Sequence, residues 1–503
     1  MEPRIARRAA AGALIAGVVA DAVFDGSPLG INVPLATAAA LVLVTWFGPG
    51  RRPADPLDLW LAGLALVASL GPAIRTDPTV VALDLLLVVA AVSAWGFAVS
   101  GVAVTRRSAA AVALLGAQAA GAIGVGLLWL LARSGADGTF SRAARNLGRL
   151  APLARGALIA VPVVVGFSVL LTSADAVFGR ALDEALRLPF DLDAIVRRGT
   201  FATLAAFLVG GPIAIAVGAS RALDVSSDIC PETDLRAAAP PVAGRSGVTV
   251  VLVVVGAVDI VFALFAAVQV VFLFGGRDTL AAIGMTYSDY ARQGYFQLVG
   301  VVALAGLLLL GAHAVVGRTR AFLMAAVTLL VLTAVILASA AVRLALYQGA
   351  YGWTELRFFV AASIGWLATC IVLALALLSA NRMRWLPHGL AMSAAAVTLS
   401  ISVMGPQAFV MHQNLARVLD PNLVSAGGHA GLDVGYGMTL GDDAIPDLVG
   451  ALDVVTEGDR SALLPLLRSR KDELVTEALT AAPLSWNLAR TRAREALAQL
   501  PDE

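Results

Sequence analysis

Apolar residues fall in long runs separated by short polar joints from residue 9 to residue 412, and beyond His412 the pattern turns amphipathic. A helix needs roughly 20 apolar residues to cross about 30 Å of hydrocarbon. That ruler predicts membrane spans near 9–24, 29–48, 57–74, 79–104, 109–132, 153–172, 199–219, 248–274, 295–317, 320–347, 356–379 and 387–411. The expected fold class is all-α, a polytopic transmembrane helix bundle of about 12 spans with a small C-terminal helical tail domain. Residues 1–219 hold the N-terminal membrane helices, 220–247 a connector loop around Pro240-Pro241, 248–412 the C-terminal membrane helices, and 413–503 a soluble or interfacial tail.

The tail reads as three short helices. Asp442 and Asp443 can cap one in which Ile445, Leu448, Val449 and Leu452 recur at helical spacing. A second is expected from about Asp459 to Leu479, with Pro465 as a kink point, and Ser485 can cap a third that gathers Trp486, Ala489, Ala493 and Leu497 on one face. Such a tail can dock on the membrane helices of its own chain or recruit a partner protein. Docking in cis is the simpler expectation.

Composition sharpens the class. With 59% apolar and 14% charged residues the chain lies far from a soluble domain. A net charge of +1 leaves no electrostatic footprint for nucleic acid. The lipid bilayer is the expected partner, and the expected location is a bacterial inner (plasma) membrane. Arg4, Arg7 and Arg8 precede the first apolar run, and Ala20-Asp21-Ala22 has the small-x-small form of a cleavage site. A second apolar run follows within a few residues, which favours a retained helix over a signal peptide.

Positive residues in short loops stay cytoplasmic. Arg4, Arg7, Arg8, Arg51, Arg52, Arg106 and Arg107 fall on one face and Arg75 on the other, so the N-terminus is expected in the cytoplasm. Simple alternation then puts Arg142, Arg145, Arg149, Arg318, Arg320, Arg382 and Arg384 on the opposite face. Something must break parity between residues 105 and 200. An interfacial helix over Phe140–Leu150 is one device that would do so.

A charge at mid-membrane costs from about 2.5 kcal/mol upward, so each needs a partner, water or a task. Asp259, near the middle of a span with Gln269 three turns on, is the sharpest candidate for an intramembrane polar site. Asp84 and Asp21 lie nearer span ends, within expected reach of headgroups or solvent. His313 and Gln118 read as interhelical hydrogen-bonding groups. Gly210-Gly211-Pro212 and Pro162 interrupt two spans, as kinks or as the broken helices of transporters.

Enzyme signatures are missing. His313, His388, His412 and His429 lack the spacing of a zinc site, and two cysteines, Cys230 and Cys370, build neither a disulfide framework nor a CxxC clamp. No Walker loop, GxSxG elbow or HExxH helix is present, and the glycines from Gly427 to Gly441 have the wrong spacing for a phosphate loop. No catalytic residue, metal or cofactor is expected.

Two polar joints are distinctive. One runs Thr286-Tyr287-Ser288-Asp289-Tyr290-Ala291-Arg292-Gln293-Gly294-Tyr295-Phe296-Gln297-Leu298; the other runs from Arg343 through Tyr347 and Ala350-Tyr351-Gly352-Trp353-Thr354-Glu355-Leu356-Arg357. With Ser173-Ala174-Asp175-Ala176-Val177-Phe178 and the stretch from Leu432-Asp433 to Ile445-Pro446, they resemble the bacterial membrane proteins grouped as domain of unknown function 4173. Asp289 and Trp353 stand where that family would have Glu and Leu. The resemblance covers most of the chain and implies no activity.

Each joint combines Tyr, a carboxylate and Arg at a membrane boundary, the ordinary place for aromatic belts and headgroup-facing charge. The alternative is a linked network in which Asp289, Arg292, Arg343, Tyr351, Glu355 and Arg357 line a cavity open to one face. Two functions follow: transport or permeation of a small solute or ion, or a membrane-anchored sensor or assembly scaffold whose tail binds a partner.

Overall fold

The computed structural model describes residues 3–24, 27–48, 53, 55–105, 109–134, 192–217, 251–263, 266, 295–316, 319–424, 431–480 and 482–500. Among them every regular element is a helix. Five helices are long and apolar enough to cross a membrane: Pro56–Ile74, Pro78–Val99, Arg320–Tyr351, Glu355–Ser379 and Leu386–Met404. Their outward faces are apolar too, with Leu86 67%, Met324 67% and Val372 63% exposed. A water-soluble fold would bury such residues, whereas a bilayer solvates them. The chain is a membrane-embedded helical protein.

We number the helices α1 (Pro3–Phe24), α2 (Asn32–Phe47), α3 (Leu59–Ser69), α4 (Gly71–Ile74), α5 (Pro78–Val99), α6 (Ala109–Ser134), α7 (Leu192–Ala216), α8 (Val251–Ala263) and α9 (Tyr295–Val316). Then follow α10 (Arg320–Tyr351), α11 (Glu355–Ser379), α12 (Leu386–Met404), α13 (Pro406–Leu419), α14 (Val434–Thr439), α15 (Ile445–Ala451), α16 (Glu457–Thr480) and α17 (Leu488–Leu497).

Three apolar cores organise these helices. Ala9, Val44, Ala65, Trp95, Leu130 and Ile213 belong to a core that joins α1, α2, α3, α5, α6 and α7. Val255, Leu309, Leu329 and Ile364 belong to a second, built by α8 to α11. The third joins Val80 of α5, Phe358 of α11 and Ile401 of α12 to Leu448, Leu467 and Leu497 of the C-terminal helices.

The Gly210-Gly211-Pro212 segment does not break its helix, because α7 runs on through Pro212 to Ala216. Its glycines serve close packing: a Cβ on Gly211 would lie 2.7 Å from the Ile123 Cα of α6. Small residues that let backbones approach are a common membrane-helix contact. Real breaks occur elsewhere. The span expected over 57–74 is interrupted at Leu70 between α3 and α4, and the span expected over 387–411 stops at Met404, where Gly405 takes φ 69°. Residues 140–150, 153–172, Pro162 and the 220–247 connector lie outside the described residues.

Tail caps differ from expectation. Asp442 and Asp443 form a short 3-10 turn before α15, whose N-cap is Ala444 with no side-chain bond. Both carboxylates are drawn to arginines instead. The cap of α17 is Asn487, which accepts from the Arg490 amide, and Ser485 sits in a preceding 3-10 turn. Pro465 lies inside a helix that continues from Glu457 to Thr480.

Candidate functional site: a polar layer between the bundle and the C-terminal helices

The ends of α4, α10 and α12 and the starts of α2, α5 and α11 meet the C-terminal helices across a layer of charged side chains. Arg75, just past α4, is its centre. Its Nε donates to the Ser402 carbonyl at 2.6 Å and Nη2 to that of Val403, so one guanidinium closes the carbonyl end of α12. Nη1 pairs with Asp443 at 2.8 Å, with side-chain exposures of 14% and 4%. Gly405 makes room for this arrangement, since a Cβ there would lie 2.5 Å from Arg75 Nη1. Asp443 also accepts from the Thr76 amide at 3.2 Å.

Asp77 caps α5 by accepting from Thr79 and Val80 at 2.8 and 3.2 Å. Burial, reinforced by the nearby Asp443 charge and opposed by the two amides, pushes its carboxyl above the ordinary carboxylate range. Two turns deeper, Asp84 is fully buried. The Ser402 hydroxyl donates to it, 2.8 Å from each oxygen. The carboxylate lies against Gly71, where no side chain would fit. Headgroups and solvent are out of reach for Asp84, contrary to expectation.

A second group surrounds the joint between α10 and α11. Gly352 takes φ 76°, a region that favours glycine. Asn414 of α13 clasps Trp353, accepting from its amide at 2.7 Å and donating to its carbonyl at 2.9 Å. Arg417 donates to the carbonyls of Gln348, Gly349 and Ala350 at 2.8, 2.9 and 3.1 Å, capping α10. Burial and then the neighbouring Arg357 lower the Arg417 pKa, yet an arginine keeps its proton in such a place. Arg357 donates to the Tyr351 and Gly352 carbonyls at 3.2 and 2.5 Å and lies 4.0 Å over the Tyr347 ring. Beside it Tyr351, Arg357, Asn414, Arg417, Asp433 and Tyr436 line a polar cleft of about 210 Å³.

Four residues of the expected boundary network, Arg343, Tyr351, Glu355 and Arg357, lie among the described residues. Tyr351, Glu355 and Arg357 share the joint, but Glu355 and Arg357 form no ion pair among the described residues. Glu355 accepts from Gln407 Nε2 at 2.9 Å, and its amide donates to the Tyr436 hydroxyl at 2.9 Å. Exchanging the two side chains, Glu355→Arg with Arg357→Glu, is therefore expected to give no rescue over the single variants in a thermal-unfolding assay. Arg343 is buried within α10, 7% exposed, two turns from the joint. Asp289, Arg292 and Gln269 lie outside the described residues. Asp259 is half-buried on α8, and its Oδ1 has no hydrogen-bond partner among the described residues. Its neighbours Ile260 and Val261 point outward.

Arg75, Asp77, Asp84, Ser402, Asn414, Arg417 and Asp443 were not among the expected site residues. Arg75 left a signal as the odd arginine in the loop count, and Asp84 as a charge inside a span. Arg75 with Asp443 and Asp84 with Ser402 become partners only when residues more than 300 positions apart meet, and Asn414 and Arg417 reach theirs across more than 60. The C-terminal helices reach further onto the bundle through Asn487, which donates to the Pro72 and Arg75 carbonyls at 2.9 and 3.0 Å. Arg490 donates to the Leu29 carbonyl, and the Ile31 amide donates to that of Trp486 at 3.1 Å. Asp442 is held by Arg470 of α16 at 2.9 Å. Among the described residues no group of three or more His, Cys, Asp and Glu side chains is placed to hold a metal.

Apolar spans and a buried charged seam define the class, a helical integral membrane protein. The chain belongs to the family described as domain of unknown function 4153, whose model matches residues 62–451. The resemblance read from the polar joints was to family 4173, which is not matched; the correct family is likewise one of unknown function. The match starts within α3 and ends at the last residue of α15, so it takes in the whole Arg75–Asp84–Ser402–Asp443 seam. No curated protein and no solved structure matches the chain.

Proposed function

We propose that this is a multi-pass protein of a bacterial inner (plasma) membrane, with a cytoplasmic N-terminus, that moves a proton or small cation through its helices. The observation that carries the reading is Asp84, a fully buried carboxylate inside a span whose hydrogen-bond donor is the Ser402 hydroxyl. A carboxylate so placed is costly unless it has a task. It also lies where α3–α4 breaks and α12 ends, and interrupted helices are the usual scaffold of intramembrane ion sites. Asp259 is the second candidate carboxylate.

Proton flux into liposomes, read with a trapped pH dye, tests this. Asp84→Asn keeps a hydrogen-bonding group beside Ser402 and is expected to lower flux at least tenfold at unchanged thermal stability. Loss with Asp259→Asn alone would move the site to α8. Unchanged flux in both variants would end the transport reading.

One observation supports the scaffold reading instead. On α16, Val475 and Leu479, one turn apart, are 51% and 84% exposed, an apolar pair left open by the docked tail. Copurification of a protein that depends on these two residues, with no flux, would favour it.

A further inference from the structure

The packed helices share two ends with very different charge. At one end the Trp60 ring of α3 lies 5.6 Å from that of His388 in α12. There Asp58 accepts from the Val104 and Thr105 amides beyond α5 at 2.9 and 2.9 Å, and Gly48 after α2 abuts Val99. The end of α9, the start of α10, the end of α11 and the start of α12 gather at a single end as well, because His313, Phe322, Leu378, Met383 and Leu386 line one cavity. Since α12 is common to both groups, these ends are the same. The start of α1 joins them, as Gly12 abuts Phe47.

In sequence, the arginines of the short joints belong to this end. Arg4, Arg7 and Arg8 open α1, Arg51 and Arg52 precede Pro53, and Arg106 and Arg107 follow Thr105. Arg318 and Arg320 fall at the α9–α10 joint, and Arg382 and Arg384 at the α11–α12 joint. The short joints at the other end are nearly bare, while the longer stretches 135–191 and 264–294 carry Arg142, Arg145, Arg149, Arg155, Arg180, Arg187, Arg277 and Arg292. Residues 27–31 and 352–354 carry no Lys or Arg, and 75–77 carries Arg75 alone, whose charge Asp443 offsets. Arg197, Arg198 and Arg357 fall in the first two turns of α7 and α11.

Alternation through every apolar run had put the arginines of the two halves on opposite faces. The packing gathers the helix ends that flank Arg4–Arg8, Arg51–Arg52, Arg106–Arg107, Arg318–Arg320 and Arg382–Arg384 at one end, while Arg142, Arg145 and Arg149 lie outside the described residues. Helix α6 leaves the arginine-rich end, where Leu115 packs beside Phe97, and α7 returns to it, from Phe201 against Phe24 to Ile215 beside Phe97. Lys and Arg in short loops set orientation, whereas a long appended segment crosses largely regardless of its own charge.

We infer that the C-terminal helices from α14 to α17, together with the Arg75–Asp443 layer and the cleft at Arg357 and Arg417, lie on the extracytoplasmic side. The inference rests on the cytoplasmic N-terminus proposed above. It places a docked helical cap outside the membrane, held there through the Arg75–Asp443 layer.

Single cysteines in a full-length Cys230→Ala, Cys370→Ala background test it with a membrane-impermeant maleimide on right-side-out vesicles. Leu479→Cys, at an 84% exposed position, is expected to label at once. Ala380→Cys, at the α11–α12 joint, is expected to label only after detergent. A fluorescent-protein fusion at the N-terminus reports its own side, fluorescing only in the cytoplasm. Protection of Leu479→Cys with a fluorescent N-terminus overturns the inference alone. Protection with a dark N-terminus and a labelled Ala380→Cys overturns the orientation beneath it, and labelling of both cysteines shows that the two ends do not lie on opposite faces.

Discussion

Asp443→Ala is expected to loosen the C-terminal helices from the bundle, at a cost of roughly 3–5 kcal/mol, the range for removing one partner of a buried ion pair. Arg75 is 14% exposed at its side chain and cannot leave, because the same guanidinium holds the Ser402 and Val403 carbonyls. Its charge would remain in place without a counter-ion. The readouts are a lower unfolding temperature in detergent and faster proteolysis between residues 431 and 500. Pairing Arg75→Leu with Asp443→Leu removes both charges but takes the donor from the Ser402 and Val403 carbonyls, so its loss should fall short of the sum of the two single variants without vanishing. Strictly additive losses would mean that the two side chains do not act on each other.

Arg417→Ala comes next, with an expected loss on the order of 3 kcal/mol, since hydrogen bonds to charged groups contribute about 1.5–3 kcal/mol each and are not additive. Three carbonyls at the end of α10 would lose their donor, and a side chain that is 7% exposed would leave a gap. Arg417→Lys should do almost as badly. A lysine ammonium is a point charge, without the planar fork that reaches Gln348, Gly349 and Ala350 together. The check is thermal unfolding of both variants. Full stability of Arg417→Lys would show that charge rather than geometry holds the joint.

Much of the bundle was legible because membrane spans obey a local rule. Residues 79–104, 320–347 and 356–379 are apolar over the length a bilayer demands, and they form α5, α10 and α11 with small shifts at their ends. The tail helices were legible from their spacing, and Ile445, Leu448, Ala489, Ala493 and Leu497 are buried as that spacing implies. Caps were harder to read. Asp443 has the residue type of a helix cap, but a buried guanidinium outcompetes a backbone amide for a carboxylate.

The site was the least legible part. Asp84 looked peripheral from its distance to the span end, yet depth along a helix says nothing about what covers it. Ser402 of α12 and Gly71 of α4 cover it. Asp259 lies half-buried on α8, and its expected partner Gln269 lies outside the described residues.

Sequence alone therefore determined the solvent: runs of apolar residues, Arg confined to joints, and an amphipathic end specify a helical membrane protein through local length and periodicity. Only the tertiary structure decided which charges meet and which ends share a face. Arg75 with Asp443, Asp84 with Ser402, and the gathering of the arginine-rich joints are products of contacts across hundreds of residues, to which no local pattern is sensitive.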